Sequence, residues 1–148
     1  PAELAPTLPL TQHGLRAVGG ALGAGIVLVL PASACGLAET AHVLTYLAAH
    51  NAGQCGPCVN GLPAIAGAMQ QLAQGRGAPN PVHDLERWLD IVPGRGACRH
   101  PDGATRFAAS ALRVFAGHLD QHHNEGPCGA AFHHPLLPVG PPPATSWR

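Results

Sequence analysis

Four apolar stripes at helical spacing organise most of the chain. Leu37, Ala41, Leu44 and Ala48 recur at i, i+4, i+7 and i+11, with Ser33 shortly before them. Val59, Leu62, Ala66, Met69 and Leu72 form a second stripe, closed by Gly75-Arg76-Gly77. Leu85, Trp88, Leu89 and Val92 form a third, opened by Pro81 and stopped by Pro93-Gly94. Ala104, Phe107, Ala111, Val114, Phe115 and His118 form the fourth. Each places apolar side chains on one face of a 3.6-residue helix, with breakers at the ends. One segment departs from this period. Gly25-Ile26-Val27-Leu28-Val29-Leu30 is a continuous β-branched run ending at Pro31, the pattern of a short buried strand.

The pattern predicts a mainly α fold: a small four-helix bundle preceded by a short β-strand in a Gly-rich segment. Residues 1–20 carry scattered Pro and Gly and read as mostly irregular. From Gly126 the periodicity stops and Pro and His take over, predicting an irregular tail on the surface. Three parts follow: 1–31 as a linker and the end of a preceding β-rich domain, 32–125 as the helical domain, and 126–148 as the tail.

Composition narrows the picture. Hydrophobic residues make up 46% of 148, but aromatics only 4%, so Ala, Leu and Val carry the core. Small side chains imply closely approaching helices rather than a large aromatic-lined cavity. Charged residues are 11% and balance to zero, which argues against nucleic acid or an acidic membrane held by bulk charge. Ala17–Leu30 is apolar but short and contains four glycines, so no membrane span is expected. No basic segment precedes it as a signal peptide requires, and a cytoplasmic protein is expected.

Five cysteines are an odd number, without the spacing of a secreted disulfide framework. Cys55-Gly56-Pro57-Cys58 opens the second helix, and Cys98 stands in Gly96-Ala97-Cys98-Arg99-His100 before the fourth. Both places offer free backbone N–H groups and the positive end of a helix dipole, which favour thiolates. Neighbouring glycines at 53, 56, 94, 96 and 103 allow close backbone approach. Three such thiolates suit an iron–sulfur cluster, which carries negative charge.

These segments resemble a known family. Gly53-Gln54-Cys55-Gly56-Pro57-Cys58, with Cys98, Asp102-Gly103-Ala104 and Phe115, is similar to the C-terminal iron–sulfur domain of the NADH-binding flavoprotein subunit of respiratory complex I and its hydrogenase and formate dehydrogenase relatives. The resemblance runs from about Ala24 to about Leu119. It implies a 4Fe-4S cluster that relays electrons from a flavin reduced by NADH to a further carrier. It also implies a flavin/NADH-binding domain or subunit and a ferredoxin-like carrier as partners. Cys55, Cys58 and Cys98 match three of the family's four ligands, and its first cysteine falls on Ala52.

Cys35 is the preferred fourth donor, because its helix starts beside the same bundle. Cys128 and His50 are the alternatives, and a 3Fe-4S cluster needs only three thiolates. Loss of the cluster, leaving a structural or interaction module, and another metal such as zinc are further readings. The glycines at 19, 20, 23 and 25 precede a strand instead of opening a helix, so no NADH or flavin cradle is read here.

A dithiol oxidoreductase is the competing class, with Cys55 as a low-pKa nucleophile. Gln54 in place of an aromatic, and helical rather than alternating periodicity before Cys55, count against it. His122-His123 and His133-His134 read as solvated surface, and Trp88 as a core anchor. Arg95, Arg99, Arg106 and Arg113 read as a solvated face, with docking of an acidic ferredoxin-like partner as the alternative.

Overall fold

The computed structural model describes residues 7–23, 26–75 and 81–140. Helix α1 spans Gln12–Ala17, α2 Gly36–Ala49, α3 Leu62–Gln74, α4 Pro81–Ile91, α5 His100–Val114 and α6 Ala116–Glu125. A π-helical turn, Pro57–Gly61, leads directly into α3, and a short 3₁₀ turn occupies Gly129–Phe132. The fold is mainly α, as the periodicity predicts, and no strand occurs among the described residues.

Helix α3 is the centre of the bundle. It packs most extensively on α2, then on α4, and also touches α5 and α6. Ile65 and Met69 of α3 are fully buried beside Leu37 and Leu44 of α2 and Leu85 of α4. Between them lie Ala41, Ala66, Ala68, Ala73, Ala104, Ala108 and Ala111, which bring helix backbones close together. Gly36 is part of this economy of volume, because a Cβ there would run into the Phe115 ring. Trp88 packs against the core from its edge.

Three expectations need correction. Residues 26–30 form no strand, and Ile26, Val27, Leu28 and Val29 stand exposed. A strand needs a hydrogen-bonded neighbour, and no strand pairing occurs among the described residues. The N-terminal stretch contains α1, started by Thr11, whose hydroxyl accepts the Gly14 N–H at 3.1 Å. The fourth stripe is two helices, because the chain breaks at Phe115 and restarts as α6.

The tail after Gly126 is irregular only in part. Besides the 3₁₀ turn, its backbone is tied to α2 by the buried Glu39 carboxylate, which accepts the N–H groups of Leu136 at 2.7 Å and Leu137 at 2.9 Å. Two charge-assisted bonds satisfy a carboxylate that burial would otherwise make costly. Gly75 ends α3 in a left-handed conformation, as a helix stop requires, while Arg76-Gly77 of the expected stop lies outside the described residues.

Candidate metal centre

Helix α2 ends at His50, and a tight loop carries the chain to Cys55. Gly53 has φ 64°, a left-handed conformation that glycine adopts without strain, and its N–H donates to Asn51 Oδ1 at 2.7 Å. The Cys55 carbonyl accepts the N–H groups of Cys58 at 2.7 Å and Val59 at 3.1 Å, starting the helix that continues through α3. Pro57 sits in the first turn, where its missing N–H costs nothing. The Cys55 and Cys58 sulfurs are thereby 3.6 Å apart, Cys58 buried and Cys55 half-exposed.

Cys98 arrives from the loop before α5. Gly94, at φ 73°, turns that loop, and the Asp102 carboxylate accepts its N–H at 2.8 Å. Asp102 also pairs with Arg99 at 2.8 Å. The Gly94 N–H first, then Arg99, hold the Asp102 carboxyl below its ordinary range. His100 bridges its ring Nε2 to the Leu47 carbonyl at 2.9 Å, docking the start of α5 on the end of α2. Pro101 is fully buried beneath it.

The second loop acts on the first through Ala97. A backbone hydrogen bond from Ala97 is the main influence lowering the Cys55 thiol; burial opposes it, and hydrogen bonds from Cys58 add to the lowering. Burial pushes Cys58 up to about 11, reinforced by the Cys55 bond and by the charges of Cys55 and Cys98. One thiol is thus disposed to ionise first. Cys98 is exposed at the rim. Three thiols and inward N–H groups at a helix start form a donor set that fits an iron–sulfur cluster.

The other proposed donors lie elsewhere. Cys35 is the N-cap of α2, its sulfur accepting the Ala38 N–H at 3.4 Å, whereas Cys55 follows the opposite end of that helix. At about 1.5 Å per residue, the two ends of α2 are about 20 Å apart. The structure does not bring Cys35 to the trio. Its sulfur, that of Cys128 and ring nitrogens of His118 and His122 instead all lie within 4.8 Å of one another. The reading of His122 as solvated surface is corrected, because the residue is 4% exposed. His50 is exposed, with Nδ1 at 2.9 Å from the Tyr46 carbonyl and its ring stacked on Tyr46. Ala52 offers only its carbonyl, which accepts from Gln54 at 3.0 Å.

A helical bundle with Cys55 and Cys58 at one helix start and Cys98 in the loop before another has the cysteine pattern expected of a thiolate metal-binding domain. Residues 38–122, more than half of the chain, match the family described as the NADH-ubiquinone oxidoreductase-F iron-sulfur binding region, and the chain belongs to that family. The cofactor of such a domain is an iron–sulfur cluster, 4Fe-4S, and its chemistry is electron transfer. The matching NADH-quinone oxidoreductase subunit of Buchnera aphidicola subsp. Schizaphis graminum is 29% identical over 109 residues, covering 73% of this chain and 24% of that protein. Its counterpart in Escherichia coli K12 is 26% identical over 109 residues, with the same coverage. That of Streptomyces coelicolor is 23% identical over 140 residues, 95% of this chain and 29% of the relative. The chain spans about a quarter of the length of these relatives. No helix among the described residues is long and apolar enough to cross a membrane.

Proposed function

We propose that this chain is the electron-relay segment of a larger NADH-oxidising assembly, and that Cys55, Cys58 and Cys98 hold its cluster. The observation that carries the reading is the Cys55–Cys58 sulfur pair, 3.6 Å apart at the helix start that leads into α3, within the stretch that matches the iron-sulfur binding family. A bound cluster supplies one-electron redox chemistry. The protein's part is to present the thiolates, donate N–H groups to them and shield one side from water. Cys58 and Pro101 close the inner side, while the exposed Cys98 leaves the outer side open to a partner. The remaining iron takes its ligand from outside the three cysteines, since Ala52 has no donor side chain.

The electron donor on this reading is a flavin in a preceding NADH-binding domain or subunit, and the acceptor is a ferredoxin-like carrier. The exposed run Ile26–Val29 supports a neighbouring module, because four exposed apolar residues offer surface for another part of the assembly to cover. The arginines at 95, 99 and 106 beside the rim supply positive charge for an acidic acceptor. The dithiol oxidoreductase reading is not favoured, because Cys55 and Cys58 stand in an all-helical frame among the described residues.

Anaerobic mixing with photoreduced flavin tests the relay. The expected result is bleaching of the broad visible absorption of the cluster-loaded protein. Bleaching by dithionite but not by the flavin would refute the assignment of a flavin donor.

A further inference from the structure

We propose that Cys35, His118, His122 and Cys128 form a second metal site, a closed Cys2His2 site that binds one zinc ion. The proposal goes beyond the cluster reading and does not depend on it. Cys35 and Cys128 fall outside the residues that match the family, so the match does not describe this site.

Three separate pieces of chain build it. Cys35 caps the start of α2. His118 and His122 are four residues apart on α6, hence on one helix face, with ring centroids 4.7 Å apart. Cys128 caps the start of the 3₁₀ turn. All four donor atoms lie within 4.8 Å of one another. The Cys35 sulfur is 3.8 Å from His122 Nε2, and the Cys128 sulfur is 3.3 Å from His118 Nε2. With metal–sulfur bonds of about 2.3 Å and metal–nitrogen bonds of about 2.0 Å, a tetrahedron has sulfur–nitrogen edges of about 3.5 Å. The two measured edges bracket that value. Four donors from two cysteines and two histidines this close together suit a single tetrahedral ion.

The surroundings prepare His122 for this role. Its Nδ1 faces the Leu72 carbonyl at 3.3 Å, and its Nε2 receives the Cys128 N–H at 3.2 Å. Both partners assign the proton to Nδ1 and the lone pair to Nε2, the atom facing the sulfurs. A backbone carbonyl on the outer nitrogen of a histidine is the usual support for a ligating imidazole. A metal ion takes the place of the Cys128 N–H at that lone pair.

Charge accounts for zinc in a buried place. Binding releases one proton from each thiol, so Zn²⁺ plus two thiolates and two neutral imidazoles is a neutral unit. Two sulfurs and two nitrogens in a compact set favour tetrahedral zinc, and four protein ligands leave no open position, which marks a structural site. The ion would staple α6 and the tail to α2.

The test is a zinc titration of the full chain against a chromophoric chelator, repeated with Co²⁺. The expected result is one zinc per chain, with cobalt giving tetrahedral d–d bands and a thiolate charge-transfer band. His118→Ala and Cys128→Ser, both at half-buried positions, should weaken zinc binding by more than about a hundredfold, beyond what loss of a supporting outer contact costs. Cys98→Ser should leave it unchanged, which separates this site from the cluster cysteines. Absence of stoichiometric zinc and cobalt binding to the wild-type chain would overturn the proposal. So would zinc binding that Cys98→Ser abolishes and His118→Ala does not.

Discussion

Cys98→Ser is expected to reduce the iron of anaerobically prepared protein from about four atoms per chain to less than one, with the helical circular dichroism unchanged. Cys98 is exposed, so the hydroxyl replaces no core contact and removes only a thiolate. Cys58→Ser is a less clean test, because Cys58 is 4% exposed and belongs to the hydrophobic core. With Ala52 in place of the family's first cysteine, the cluster has few thiolates to spare. A cluster already short of one cysteine should not survive the loss of another. Iron retained at wild-type level in the Cys98 variant would remove this residue from the ligand set.

The second large effect concerns the fold. Ile65→Ala should lower unfolding free energy by about 2–5 kcal/mol, out of a typical total of about 5–15 kcal/mol. Ile65 is fully buried on α3, the helix that contacts α2, α4, α5 and α6. The core it belongs to is rich in alanines such as Ala66, Ala68 and Ala108, which have no further atoms with which to fill a cavity. The cost should therefore fall toward the upper end of that range. Chemical denaturation followed by circular dichroism measures it. Val59→Ala, at a 41% exposed position, serves as the control and should change stability by less than about 0.5 kcal/mol.

The helices were legible where tertiary packing agrees with period. The stripes from Leu37 and Val59 became α2 and α3 because their apolar faces meet each other. The break at Phe115 was hidden, because Val114, Phe115 and His118 continue the stripe of Ala104 and Ala111 without a Gly or Pro at the break itself. The run from Ile26 to Leu30 has strand composition, but a strand is made by its neighbour, and composition carries no information about that neighbour.

The site divides in the same way. Cys55 and Cys58 were readable as a local motif, and Cys98 as its counterpart at a second helix start. Cys35 illustrates the limit. It begins a helix that packs in the same bundle, yet α2 carries it to the end opposite Cys55. Shared packing does not imply a shared end. The Cys35, His118, His122 and Cys128 group had one local signal, the i, i+4 histidine pair followed by Cys128. Counting histidines as a surface feature obscured it, and only the fold brings Cys35 to them.

The most direct measurement is the iron and acid-labile sulfide content of protein purified without oxygen. A 4Fe-4S cluster on Cys55, Cys58 and Cys98 predicts the two in equal amounts, about four of each per chain. Protein purified and reconstituted without oxygen that contains no acid-labile sulfide would contradict it.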